Sequence, residues 1–271
     1  KKIRMCLLGL CGRSIAKNSW MSIWKTIIFV SYFIGSCIAV DALGSDNVIG
    51  VALPSKYNTE ESLVDAKLLA ENLDIEFKVI EIEEIVNIFR NTLKESVNEE
   101  LGQTTDENIQ SRVRGNILMA LSNQTGAMVV STGNKSEMAV GYSTLYGDLA
   151  GGFALLKDLY KTEVYNLANF RNSISNVIPQ NTIDKEPSAE LRPDQFDKDS
   201  LPEYDLLDEI LRMYIEEDSS SEKIISKGID ENIVYDVLSK VDRNEYKRKQ
   251  VAPGVKLTEK AFGKDRRMDL E

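Results

Sequence analysis

Polar residues of the kinds that bind small ligands crowd two neighbouring stretches, Thr132-Gly133-Asn134-Lys135-Ser136-Glu137 and Gly141-Tyr142-Ser143-Thr144-Leu145-Tyr146-Gly147-Asp148. Glycines at 133, 141 and 147 would let a ligand come close to the backbone there. The sequence contains no histidine. That removes Ser-His-Asp and Cys-His catalysis and every histidine-containing zinc site. Spacing alone favours an ordinary strand-to-helix turn over a binding site. Outside this region, Asn108 and Arg112 lie four apart and share a helix face. On pattern alone that face is a solvated stripe, and a lone lysine such as Lys161 is usually solvent-facing.

These side chains need elements to hold them. Residues 127–130 are an apolar run and read as a short buried strand. A Thr-Gly-Asn break follows, and Ser136 can cap a new helix. Strand, break and helix together place residues 132–137 at the carboxyl edge of a parallel sheet, where open α/β folds bind ligands. Residues 3–10 read as the first strand, 48–53 as another that ends at Pro54-Ser55, and 77–82 as a third. Between the last two, apolar residues at 63, 66, 69, 70 and 73 have helical spacing. This order predicts right-handed parallel crossovers and a doubly wound sheet. No Gly-x-Gly-x-x-Gly occurs, so the chain is not a Rossmann dehydrogenase.

Residues 85–101 read as a helix. Thr104 with Glu107 then reads as a capping box opening a helix whose Ile109, Val113, Ile117 and Leu121 face the core. Residues 172–183 form a polar connection, and 194–202 a polar segment expected to order on ligand binding. Amphipathic helices follow at 204–215 and 233–241. Basic runs at 245–250 and 262–267 stand out near the end of an otherwise acidic chain.

The 271 residues, 42 % of them hydrophobic and 28 % charged, suit one large domain, or one with a helical appendage. A net charge of −10 without a clustered basic face argues against a nucleic-acid partner. All three cysteines fall in the first 37 positions and give no disulfide framework, so a reducing cytoplasm is the expected setting. The first forty residues carry six basic side chains and no acid. Within them residues 26–40 are nearly all apolar, but the run is shorter than the ~20 residues of a membrane span. A secretory signal reading is disfavoured because residues 39–44 belong to the pattern described next.

TGNKSE followed by GYSTLYGD resembles the synthetase domain of glutamine-dependent NAD synthetases. The likeness runs in order from about residue 39 to residue 267. It passes through Leu53-Pro54-Ser55, Glu107-Asn108-Ile109-Gln110-Ser111-Arg112-Val113-Arg114-Gly115, Pro187-Ser188-Ala189-Glu190-Leu191-Arg192-Pro193 and Tyr246-Lys247. Such enzymes adenylate the carboxylate of deamido-NAD with ATP and let ammonia displace AMP. The resemblance implies an α/β fold with a doubly wound parallel sheet of the adenine-nucleotide α-hydrolase-like type and a helical C-terminal portion. It implies ATP contacts at Gly12, Thr132, Lys161 and Ser188. Deamido-NAD contacts are implied at Asn108, Arg112, Glu137, Tyr142, Ser143, Thr144, Leu145, Tyr246 and Lys247, with Mg2+ at Glu137 and no side-chain nucleophile. The implied partners are ATP, deamido-NAD, ammonia or glutamine, and further copies in a homodimer or larger oligomer.

One segment departs from the pattern. Family members carry a Ser-Gly-Gly-x-Asp-Ser loop after the first strand; its backbone N–H groups cradle pyrophosphate and its Asp holds magnesium. Here Cys11-Gly12-Arg13-Ser14-Ile15-Ala16 retains only Gly12. A second register, Ser31-Tyr32-Phe33-Ile34-Gly35-Ser36, keeps the serines and the Ile but neither glycine nor the Asp. A true divergence and a shifted reading frame both account for this. Residues 1–40 are therefore read as an atypical segment replacing the phosphate loop, and 41–271 as the NAD synthetase domain. The rival readings are a catalytically impaired dinucleotide-binding relative or partner subunit, and a membrane-attached form held by residues 20–40. The amidase domain of glutamine-dependent enzymes is not in this sequence, so a fragment or dependence on free ammonia is expected.

Overall fold

Apolar side chains alternate along two central strands, and the alternation sorts them into layers. Val48 and Val130 join one core with Ile34, Leu69 and Val164. Ile49, Val51 and Val129 join another with Val86, Ile109 and Val113. Strands buried on both faces require helices on both faces. The computed structural model describes residues 26–29, 33–263 and 265 and has this layered form. Its strands are β1 (Thr26–Phe29), β2 (Val48–Ala52), β3 (Glu76–Val79), β4 (Met128–Ser131) and β5 (Phe153–Ala154). All pair in parallel, in the order β3-β2-β1-β4-β5. The chain builds outward from β1 in both directions, so the crevice at the carboxyl ends of β1 and β4 is the place for a ligand.

Helices α1 (Phe33–Leu43), α2 (Glu60–Asn72), α3 (Glu83–Val97) and α4 (Gln103–Thr125) lie between the first four strands in sequence. Helix α5 (Lys135–Val140) follows β4, and α6 (Lys161–Ile174) and α7 (Gln180–Asp184) follow β5. The C-terminal portion contains α8 (Tyr204–Leu211), a π-helical extension (Arg212–Glu216), α9 (Ser221–Ile225), α10 (Glu231–Arg243) and α11 (Glu245–Arg248). Leu207, Ile210, Leu211, Val234, Val237 and Val241 form a third core there, which also takes Ala139 and Val140 of α5. Helix α5 is thus clamped between the sheet and the helical portion.

The strand expected at residues 3–10 and the loop at 11–16, Gly12 included, lie outside the described residues. The apolar run 26–40 is divided between β1 and α1. Residues 33–36 of the second phosphate-loop register form the first turn of α1, residues 31–32 lie outside the described residues, and position 40 lies inside α1. Ile34, Cys37, Ala39 and Ala42 of that helix pack in the main core. Among the described residues, no helix is long and apolar enough to cross a membrane.

Three local expectations are corrected. The Thr104–Glu107 capping box is not formed: α4 already starts at Gln103, with Gly102 as a cap that makes no side-chain bond. Arg90 instead grips Asp106 in the first turn of α4 and orders it through tertiary contact. Ser136 is not the cap of α5; Asn134 is. The connection expected at 172–183 includes the end of α6 and all but the last residue of α7.

Candidate functional site

The turn after β4 aims its own carboxylate. Asn134 accepts the backbone N–H of Glu137 at 3.0 Å, and Glu137 Oε2 accepts the backbone N–H of Asn134 at 3.3 Å. This reciprocal cap satisfies two N–H groups that a helix start leaves open. It also leaves Glu137 Oε1 facing Lys161, whose Nζ lies 2.9 Å away. Lys161 is the first residue of α6, and both partners are buried. Burial opposes the lysine charge, but Glu137 and then Asp197 outweigh it and raise the pKa of Lys161 above its ordinary value. The Lys161 ammonium therefore stays charged at neutral pH.

Helix α4 organises the second stretch. Asn108 accepts the Thr144 hydroxyl at 2.8 Å, and Arg112, one turn on, donates to the Leu145 carbonyl at 3.2 Å. The face that pattern alone reads as solvated is the face that docks residues 144–145. From the other side Lys247 Nζ donates to the carbonyls of Gly141 (2.6 Å) and Ser143 (2.8 Å). Burial lowers the pKa of Lys247, against the pull of Asp148. Gly141 has φ +70°, and a Cβ there would stand 2.0 Å from Asn244 Cγ. Only glycine lets the chain turn this tightly against Asn244.

These groups surround a cavity of ≈ 560 Å³ at the carboxyl edge of the sheet. Asn108, Thr132, Glu137, Tyr142, Ser143, Thr144, Lys161, Ser188 and Lys247 all line it. Three of the expected residues do not. Arg112 opens onto a second recess beside Phe89, Met119 and Tyr146. Leu145 packs on Met138, Leu149, Ala154 and Ala252, and Tyr246 is 47 % exposed on the surface. Gly115 and Ala150 line both cavity and recess, so the two adjoin.

Two cavity acids lie in stretches singled out from the sequence but are given no contact by the resemblance. Asp148 accepts the Thr144 N–H at 2.6 Å and the Ser111 hydroxyl at 3.3 Å. It lines the cavity and is exposed to it, and the protein around it pushes its carboxyl up to about 6 against the Thr144 N–H and Ser111 hydroxyl that it accepts. Asp197 belongs to the polar segment 194–202, but it is 4 % exposed and accepts the Tyr204 hydroxyl at 2.7 Å. Burial raises its pKa as well, against the pull of Lys161. Its position in the chain gave one signal, apolar Phe196 and Leu201 on either side of it.

No group of three or more carboxylate, thiol or imidazole side chains able to cage a metal occurs among the described residues. Magnesium commonly takes one or two carboxylates and completes its shell with phosphate oxygens and water. Glu137 fits that pattern for an ion carried on a nucleotide's phosphates and does not fit an all-protein site.

Comparison with known proteins is consistent with this geometry. A family model described as NAD synthase matches residues 31–251. The glutamine-dependent NAD(+) synthetase of Aquifex aeolicus is 54 % identical over 235 residues, which cover 87 % of this chain and 41 % of that protein. That of Thermotoga maritima is 53 % identical, over 86 % of this chain and 41 % of that protein. Among solved structures, the glutamine-dependent NAD+ synthetase of Acinetobacter baumannii in complex with ADP superposes with a TM-score of 0.63 at 42 % identity. The match covers 98 % of this chain and 48 % of that one. The NH3-dependent NAD synthetase of Campylobacter jejuni gives a TM-score of 0.68 at 26 % identity, over 91 % and 94 % of the two chains. The chain spans less than half the length of the curated relatives it matches.

Proposed function

The chain belongs to the NAD synthase family, and from that premise we propose that it makes NAD from deamido-NAD, ATP and ammonia. The observation that carries this reading is the single cavity in which Thr132, Glu137 and Lys161 face Asn108, Tyr142, Ser143, Thr144 and Lys247. One group suits a triphosphate and the other a dinucleotide carboxylate. In the first step a carboxylate oxygen of deamido-NAD attacks the α-phosphorus of ATP, and pyrophosphate leaves. In the second, ammonia attacks the adenylated carbonyl carbon, AMP leaves with the bonding pair, and a base takes the proton from nitrogen.

The protein's part is positioning and charge. Lys161 is a compact cation for phosphate oxygens, and its pairing with Glu137 fixes it before ATP arrives. Ser188 lines the cavity on the segment that leads to Asp197 and is set to meet ATP. Lys247 holds the 141–143 turn and brings positive charge to the dinucleotide side. Asp148, with a carboxyl near 6, is an acceptor for the ammonium proton at neutral pH. Magnesium bound to ATP would neutralise phosphate charge, with Glu137 as its protein carboxylate. The nitrogen comes as free ammonia or from glutamine through a further domain, and the working unit is a homodimer or larger. The proposed setting is the cytoplasm. Arg112 then serves the dinucleotide from the second recess, holding the Leu145 backbone, while Tyr246 would reach it from the exposed surface. Pyrophosphate release that depends on ATP, deamido-NAD and ammonia together tests the reading. Release without deamido-NAD, or none, overturns it.

One observation favours a second reading. Helix α1 meets the cavity with Phe33 and Ile34, where the resemblance expects a glycine-rich polar loop. On this reading dinucleotide binding outlasts ATP turnover. Exchanging residues 31–36 for Ser-Gly-Gly-Ile-Asp-Ser should then raise pyrophosphate release by about 10²-fold or more, as expected when preorganised charge stabilisation is restored. Equal rates in the two proteins discard it.

A further inference from the structure

Helix α8 carries an acid where its pattern calls for a hydrocarbon. Leu207, Ile210 and Leu211 are fully buried, and Asp208 among them is 1 % exposed. A carboxylate held there needs strong partners. One oxygen accepts the Ser136 hydroxyl; the other accepts the Thr162 backbone N–H at 2.9 Å and the Thr162 hydroxyl at 2.8 Å. Ser136 Oγ in turn accepts the backbone N–H of Lys161 at 2.8 Å. Since that oxygen receives the Lys161 N–H, the hydroxyl proton of Ser136 is directed to Asp208. Both oxygens of Asp208 are therefore acceptors only, as an ionised carboxylate provides and an amide does not.

We propose that Asp208 is a positioning residue that, directly and through Ser136, fixes the first turn of α6 and so aims Lys161 into the cavity. Three elements meet at this point. Helix α5 brings Ser136 beside Glu137, α6 begins with Lys161 and Thr162, and α8 supplies the acceptor. The first two N–H groups of α6 have no partner within their own helix. Lys161 is the first residue of α6, so its ammonium moves with that turn. The geometry of the Glu137–Lys161 pair thus depends on a carboxylate contributed by the helical portion of the chain. A small misplacement of a charge that contacts a reacting phosphate is costly.

This inference rests on the reading of Lys161 as an ATP contact, so its test has one arm independent of catalysis. Hydrogen exchange in the ligand-free protein should show the Lys161 and Thr162 amides protected. Asp208→Asn should expose the Lys161 amide, because the Asn amide group retains an acceptor for Thr162 but not for Ser136. Ser136→Ala, which leaves α8 untouched, should do the same. In turnover both variants should raise the KM for ATP about tenfold and leave that for deamido-NAD within about twofold. The double variant should be no worse than either alone. Asp230→Ala removes the cap of α10 and serves as a stability control that leaves the ATP KM unchanged. If Asp208→Asn does not fold, Ser136→Ala alone decides. Parental exchange with a parental ATP KM overturns the proposal, and so does an equal KM rise in the control. An inactive parent overturns the function instead. Calorimetry with ATP then decides the inference: weaker binding by Asp208→Asn supports it, and equal affinities overturn it.

Discussion

Asp148 sets how the site responds to pH. Its carboxyl near 6 means that the basic form appears as pH rises through about 6, so kcat/KM should rise over that range. Asp148→Asn should lower kcat/KM and flatten this acid limb; a limb unchanged in the variant assigns the proton to another group. The same shift has a stability consequence. Between the ordinary value of 3.8 and about 6 the folded chain holds a proton that the unfolded chain has lost. Stability therefore falls as pH rises through that window, and the variant should fall less steeply, as paired denaturant titrations at pH 4 and 7 would read. Lys161 behaves in the opposite sense to a simple buried lysine, because Glu137 and Asp197 outweigh burial. Glu137→Gln leaves that ammonium with fewer compensating charges, and its loss should cost about 3–5 kcal/mol of stability if the amide cannot substitute. A loss under 1 kcal/mol by urea denaturation would show that Asp197 alone holds the lysine.

The 141–148 turn is the element on which most of the site hangs. Gly141 stands at φ +70° with Asn244 in the space of any Cβ, and Lys247 is bonded to the carbonyls on either side of Tyr142. Gly141→Ala combines left-handed backbone with overpacking and should destabilise by about 2–4 kcal/mol. A smaller change in urea midpoint at constant m would mean that α11 moves aside at little cost. Local pattern made much of the frame legible: short apolar runs marked β2 and β4, and the spacing of Leu63, Ala66 and Leu69 marked α2. It failed where tertiary contacts override local rules. Arg90 grips Asp106, and α4 starts two residues earlier than the Thr104 signal; the 26–40 run offered no period to divide strand from helix. The polar residues of the site were legible as motifs, but their geometry was not. Asp208 shows the kind of signal that was available, since an acid on the Leu207–Leu211 apolar stripe demands a buried partner.

At the scale of the whole molecule, α3 and α4 present an apolar face that none of the described residues covers. Phe89 (47 % exposed), Met119 (39 %) and Tyr146 (69 %) line the second recess, and Ile88 (60 %) is exposed beside Phe89 in the sequence of α3. Patches of this kind on an otherwise polar, acidic surface mark association sites. The recess adjoins the cavity through Gly115 and Ala150 and holds the Arg112 side chain, so a second copy seated there would close the dinucleotide side of the site. Two copies related by a two-fold axis would bring α4 of each against the other, the arrangement in which one patch serves both partners. Light scattering at micromolar concentration should then give twice the chain mass. Phe89→Glu places a carboxylate in the middle of the patch, where an apolar interface cannot solvate it, and should shift the population to monomer. Because the patch borders the dinucleotide side and not Lys161, that monomer should lose deamido-NAD affinity before ATP affinity. A monomeric parent, or a Phe89→Glu monomer that binds deamido-NAD as the parent does, would separate the recess from the site.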